Sequence, residues 1–191
     1  MTAYGNDILT FAGQLNHEIT AGTGVGASLI GQHITYCPDI LQHTSAADEI
    51  YTIVPTSALP DSNPYPNMGA ARAQALFDMS AAVGGAEFLP GAPDELAAAF
   101  QICVWEVVND YDPNVGISSF DVTSGNVSFG SPDRSPLTPD IMAAVTMFRD
   151  AIGTNAAENM IGLANESTQD QLLPRSVPAP ASAAIGLLSL G

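Results

Sequence analysis

No lysine occurs among the 191 residues, and the four cations, Arg72, Arg134, Arg149 and Arg175, stand against 20 acidic side chains. The formal net charge of −16 repels phosphate backbones, so nucleic-acid binding has no electrostatic basis. Cysteine is scarce, with Cys37 and Cys103 permitting at most one disulfide. No long apolar run is present: residues 181–191 supply about half of the ~20 apolar residues that a membrane span requires. The first residues, Met1-Thr2-Ala3-Tyr4-Gly5-Asn6-Asp7, carry neither a basic region nor an apolar core of the export-signal type, and the chain reads as a mature or shortened form. No phosphate-cradling glycine loop occurs, because Gly22-Thr23-Gly24-Val25-Gly26 lacks the third glycine spacing and a following helix. Nothing in the sequence calls for a nucleotide, a metal or another cofactor.

What is present is a globular composition, 46% hydrophobic and 13% charged. The length suits one compact domain over residues 1–168, followed by a Pro/Ala-rich linker and apolar tail over residues 169–191. Residues 8–20 and 27–36 alternate with β-branched and aromatic side chains on either side of a Gly-rich turn, which predicts an antiparallel pair. Residues 50–54 read as a short strand before a loop imposed by Pro55, Pro60, Pro64 and Pro66. Apolar spacing predicts helices over residues 68–83 and 93–110, the first stopping at Gly84-Gly85. Residues 117–122 and 126–129 flank Thr123-Ser124-Gly125, a hairpin pattern. A third helix opens on Thr138 as cap with Pro139 in its first turn and ends before Gly153, and residues 160–164 return as a last strand. The fold class expected is α+β, an antiparallel, sandwich-like sheet lobe with an inserted portion of about three helices.

Two segments carry chemistry. A cysteine closes the strand Ile34-Thr35-Tyr36-Cys37-Pro38-Asp39, and a glutamine sits inside an apolar helix, Phe100-Gln101-Ile102-Cys103-Val104-Trp105-Glu106. A buried amide left without partners costs roughly 1–3 kcal/mol, so Gln101 needs a reason for its place. Tyr36-Cys37-Pro38-Asp39 and Gln101-Ile102-Cys103-Val104-Trp105-Glu106 resemble the internal-thioester domains of bacterial surface proteins, in which a Tyr-Cys-x-Asp strand end faces a Gln-x-Ala-x-Trp-Glu helix. Cys103 takes the Ala place. The stretch from Gln169 through Val177-Pro178-Ala179-Pro180 into an apolar run resembles a Pro-Glu-Pro C-terminal sorting signal of exported bacterial proteins, with Ala179 at the Glu place and no full span after it.

The resemblance implies an extracellular, cell-surface domain in which Cys37 expels ammonia from Gln101 and stores an acyl group as a thioester. Asp39 and Glu106 are the candidate acids for the departing ammonia, and Tyr36, Phe100 and Trp105 the shield against water. The acceptor would be a surface amine or hydroxyl of another protein or of a polysaccharide. The reaction runs once without turnover, so no enzyme is implied, and contact with a membrane would pass only through the tail. A chain that stores a thioester gains by lacking its own primary amines; an acidic exported protein from a lysine-poor habitat would show the same composition.

The alternative is a structural surface or filament subunit that self-associates, with Cys37 free or bonded to Cys103. At ~100° per residue Cys103 lies roughly 200° round the helix from Gln101, whereas Val104, Trp105 and Val108 share the Gln101 stripe. Of the histidines, His33 shares a face with Cys37 but stands ~13 Å along the strand, too far for a catalytic dyad or for a zinc site with His43. His17 is placed to pair across the strands with His33.

Overall fold

The computed structural model describes residues 1–45, 47–61, 66–85, 91–133 and 135–175. The chain folds as an α+β protein with eight strands and three α-helices among these residues. Strands β1 (Thr2–Ala3) and β2 (Asn6–Asp7) form a small antiparallel sheet with β6 (Val127–Ser128), in the order β2-β1-β6. Strands β3 (Leu15–Ile19) and β4 (Gly31–Thr35) pair antiparallel with His17 opposite His33, as the sequence predicts. The pair is shorter than expected, because Gly24–Leu29 coils into a 3₁₀ turn.

Strands β5 (Thr52–Val54), β7 (Met160–Ala164) and β8 (Gln171–Pro174) form a third antiparallel sheet in the order β5-β7-β8. A bridge between Tyr36 and Leu172 joins it to β4, with Tyr36 N–H donating to Leu172 C=O at 3.0 Å and Leu172 N–H to Tyr36 C=O at 2.7 Å. Joined by this single bridge, the two sheets make one layer in the order β3-β4-β8-β7-β5. Its two faces alternate as strand geometry requires. Met160, Ala164 and Leu172 point into the main core, while Ile161, Leu163 and Leu173 point to a second cluster with Leu29, Ile19 and Ile53.

The helical layer covers the first face. Helix α1 (Gly69–Ala81) opens on Gly69 in the left-handed region and is followed by Gly84 and Gly85 there too, with Gly84 at φ +87° closing it. Helix α2 (Asp94–Asn109) begins after Pro93 with Asp94 and Glu95 at its positive end. Arg72 closes its C-terminal end, with Nη1 donating to Val108 C=O at 3.0 Å and Nε to Tyr111 C=O, just past the helix, at 2.8 Å. Helix α3 (Pro139–Ala151) starts on Thr138, whose Oγ1 accepts from Ile141 N–H, with Pro139 in its first turn. From Ala97 to Val108 nearly every α2 side chain is buried, and Phe100 stands between Tyr36 and Phe148 in edge-to-face contacts at 4.8 and 5.2 Å.

Two expectations are corrected. Residues 117–129 do not form a hairpin: Gly116–Ser119 is a 3₁₀ turn, and Val127–Ser128 pairs with β1 at the N-terminus. Carboxylates take the N–H groups a hairpin ladder needs. Glu106 accepts from Asp121 N–H, Asp121 from Thr123 N–H, and Asp110 from Asn126 and Val127 N–H. The linker expected from residue 169 instead opens with a core strand. Residues 171–174 are buried and hydrogen-bonded to β7, because Leu172 and Leu173 each fill an opposite face of the sheet. Residues 176–191, which hold the sorting-signal likeness, lie outside the described residues.

Candidate functional site

Cys37 sits immediately past the bridge that fuses the two sheets, which fixes its backbone on both sides. Gln101 comes from the middle of α2, and at 1% exposure it is as buried as the apolar residues around it. The two residues meet through two hydrogen bonds. Cys37 N–H donates to Gln101 Oε1 at 2.9 Å, and Gln101 Nε2 donates to Cys37 C=O at 2.7 Å. The carboxamide is therefore clasped flat against the Cys37 peptide, and its burial cost is offset by charge-neutral bonds at both ends. The Cys37 thiol donates to Asp39 C=O at 2.7 Å. Burial pushes this thiol well above its ordinary value, the nearby charges of Asp39 and Asp170 add to that, and the Trp105 indole and the Asp39 backbone oppose it.

Asp39 is placed beside Cys37, but its carboxylate Oδ1 accepts from Leu41 and Gln42 N–H at 3.0 and 3.3 Å, the geometry of a turn-forming Asp. Glu106 is placed elsewhere. It lies roughly 140° round α2 from Gln101 at ~100° per residue, its Oε1 accepts from Asp121 N–H at 2.8 Å, and its charge acts on Cys103. The shield residues are all brought to the pair. Tyr36 and Phe100 are fully buried, and Trp105 is 2% exposed with its ring stacked on Phe129 at 5.9 Å and 7°. Cys37 and Cys103 are both free, buried thiols. His33 turns back to Leu29 C=O through Nε2 at 2.6 Å and joins no dyad with Cys37. Among the described residues no three His, Cys, Asp or Glu side chains are disposed to hold a metal ion.

Sequence reasoning passed over the support beneath Cys37. Gln169 Nε2 donates to Asp39 C=O at 3.1 Å and to Gln42 C=O at 3.0 Å, tying down the loop that follows the cysteine. Gln171 accepts from Thr35 Oγ1 at 2.8 Å and donates to Gln169 C=O at 3.1 Å. Asp170, fully buried, accepts from Asn165 and Asp61 N–H at 2.8 Å each, and burial raises its carboxyl to about 6. The signal was a polar-apolar pattern, Gln169-Asp170-Gln171-Leu172-Leu173, too short to outweigh the prolines that follow it.

An open groove of about 440 Å³ lies at the start of α2, between Phe11, Ala12 and Gln14 of the N-terminal arm and Asp94, Ala98 and Ile141. Side chains on a helix lean toward its N-terminus, so Gln101 extends toward the turn that holds Ala97 and Ala98. Gln14 Nε2 donates to the Tyr36 hydroxyl at 3.4 Å at the same end. The arrangement is a buried thiol and a buried carboxamide held together through the Cys37 peptide, with a surface groove along the preceding turn of α2. Comparison of the chain with protein-family models, curated proteins and solved structures found no match.

Proposed function

We propose that this chain is an exported surface domain that stores an acyl group as a Cys37–Gln101 thioester and uses it for one covalent attachment to a partner. The observation that carries this reading is the two-point clasp of the buried Gln101 carboxamide on the Cys37 peptide. In the forming step the Cys37 sulfur bonds to Gln101 Cδ, the Cδ–Nε2 bond breaks, and the thiol proton leaves with the nitrogen as ammonia. Cys37 N–H already donates to Oε1, the oxygen on which negative charge develops, and so acts as an oxyanion donor fixed in advance. Because burial disfavours the free thiolate, proton transfer to nitrogen accompanies attack rather than preceding it.

In the spending step an amine or hydroxyl on another protein or a polysaccharide attacks Cδ. The Cδ–S bond breaks, sulfur takes the acceptor's proton, and the partner is left joined through Gln101. Tyr36, Phe100 and Trp105 keep bulk water from the acyl carbon, and the groove beside Ala98 gives the acceptor its approach. The absence of lysine removes the chain's own most reactive competitors. No helix among the described residues is long and apolar enough to cross a membrane.

Intact mass tests the reading. The purified chain should be one ammonia lighter than its sequence, Cys37→Ala and Gln101→Ala should each restore the full mass, and methylamine should add its own mass to the wild type alone. Full mass in the untreated wild type, unchanged by methylamine, refutes the thioester. A loss of two hydrogens abolished by Cys103→Ala would point instead to a disulfide-bonded structural subunit.

A further inference from the structure

A buried donor beside the reactive pair has no oxygen or nitrogen acceptor. The Trp105 indole Nε1–H completes no well-aligned hydrogen bond, although the residue is only 2% exposed, and the group it acts on is the Cys37 thiol. An unpaired N–H in such surroundings is costly, and native structures rarely keep one without a reason. Trp105 follows Gln101 by one helical turn on the same stripe of α2. Its ring is buried and stacked near-parallel on Phe129, which favours one orientation of the N–H. On the other side, the Cys37 thiol spends its own proton on Asp39 C=O, which leaves the sulfur lone pairs open to a donor.

We infer that Trp105 is a catalytic residue whose indole N–H is held in reserve for the Cys37 sulfur, donating to it when that sulfur carries negative charge. This inference rests on the thioester reading above. Negative charge gathers on sulfur twice: as it attacks Gln101 Cδ with the thiol proton passing to nitrogen, and again when an acceptor amine bonds to Cδ and the sulfur departs as thiolate before taking the amine's proton. The site is buried from bulk solvent and has Asp39 and Asp170 as the neighbouring charges, so that thiolate is poorly stabilised without a donor. A fixed N–H that is weakly engaged in the ground state and fully engaged in the transition state lowers the barrier without locking the resting thiol, which is how differential binding accelerates a step. The shielding role of Trp105 would be met equally well by any large aromatic ring; donation requires nitrogen.

Trp105 is the single tryptophan of the chain, so biosynthetic replacement by its benzothiophene analogue, which keeps the shape and puts sulfur in place of N–H, alters this site alone. Trp105→Phe is the genetic counterpart, and a cooperative thermal transition near that of the wild type establishes that each variant is folded. In the reactive chain both should slow methylamine opening by roughly tenfold, the loss of one hydrogen bond to a charged group. In a Cys103→Ala, Gln101→Ala background, with Cys37 as the one thiol and no acyl partner, ¹³Cβ-cysteine NMR should show its titration moving up by about one unit when the indole N–H is removed. An unchanged titration and an unchanged opening rate overturn the proposal. If the wild type keeps its ammonia, the thioester reading falls, yet the titration still reports on the Trp105 donor, so the two failures are told apart.

Discussion

Glu106 shows how one side chain sets the response of the molecule to pH. It is fully buried on α2, with one carboxylate oxygen accepting from Asp121 N–H and the other unpartnered. Burial pushes its carboxyl up from 4.5 to about 7, the Asp121 backbone bond opposes this, and the charges of Asp110 and Asp121 reinforce it. The fold therefore favours the neutral acid. The stability this group contributes is fully present below pH 4.5, is lost as pH rises to about 7, and stays lost above that. Asp170, raised to about 6 for the same leading reason, adds in the same direction. The melting temperature should fall across this range, and Glu106→Gln, neutral throughout, should flatten the fall and melt higher on the alkaline side. A Gln variant with the same slope as the wild type in thermal denaturation against pH would remove Glu106 from the account.

The helices owe their stability to different sources, and substitution separates them. Helix α3 is an amphipathic surface helix with Val145 and Phe148 buried and a capped start, so its end effects are local. Thr138→Ala should cost about 0.5–1 kcal/mol in urea unfolding, because one long cap bond at 3.4 Å is lost at an exposed site. Phe148→Ala should cost about 3–5 kcal/mol, since the ring is fully buried against Phe100. Comparable losses for the two would mean that α3 is not held by its Phe148 contact. Helix α2 is legible from sequence by its apolar run and acidic first turn, and the depth of its burial follows from the same run. The pairing of β3 with β4, down to His17 opposite His33, was likewise legible because alternation and a Gly-rich turn leave one sensible register. A hairpin over residues 117–129 does not form although its local pattern is present, because the groups that take its N–H donors, Glu106 and Asp110, come from the end of α2.

At the scale of the whole molecule, the site depends on the last described strand. β8 pairs with β7, bridges to Tyr36 and carries Gln169-Asp170-Gln171 beneath the Cys37 loop. A chain ended after Thr168 keeps every residue of the thioester resemblance and loses this support. It should show no cooperative melting transition and no ammonia loss, as followed by calorimetry and intact mass. A chain so shortened that still melts sharply would mean that β8 is an accessory to the fold.

The sequence by itself determined the three helices, the pairing of β3 with β4 and the strongly acidic composition without lysine, because each of these is written in local composition and period, while it offered Cys37 and Gln101 as partners only through their likeness to thioester domains. Tertiary structure alone decided that Gln101 turns its carboxamide onto the Cys37 peptide, that Glu106 faces Asp121 and Cys103, that Trp105 keeps a donor unspent, and that residues 171–174 complete the sheet. The physical reason is that a buried polar group takes its partner from wherever packing brings one within hydrogen-bonding distance, and those partners stand 64 residues apart for Cys37 and Gln101 and 136 for Thr35 and Gln171.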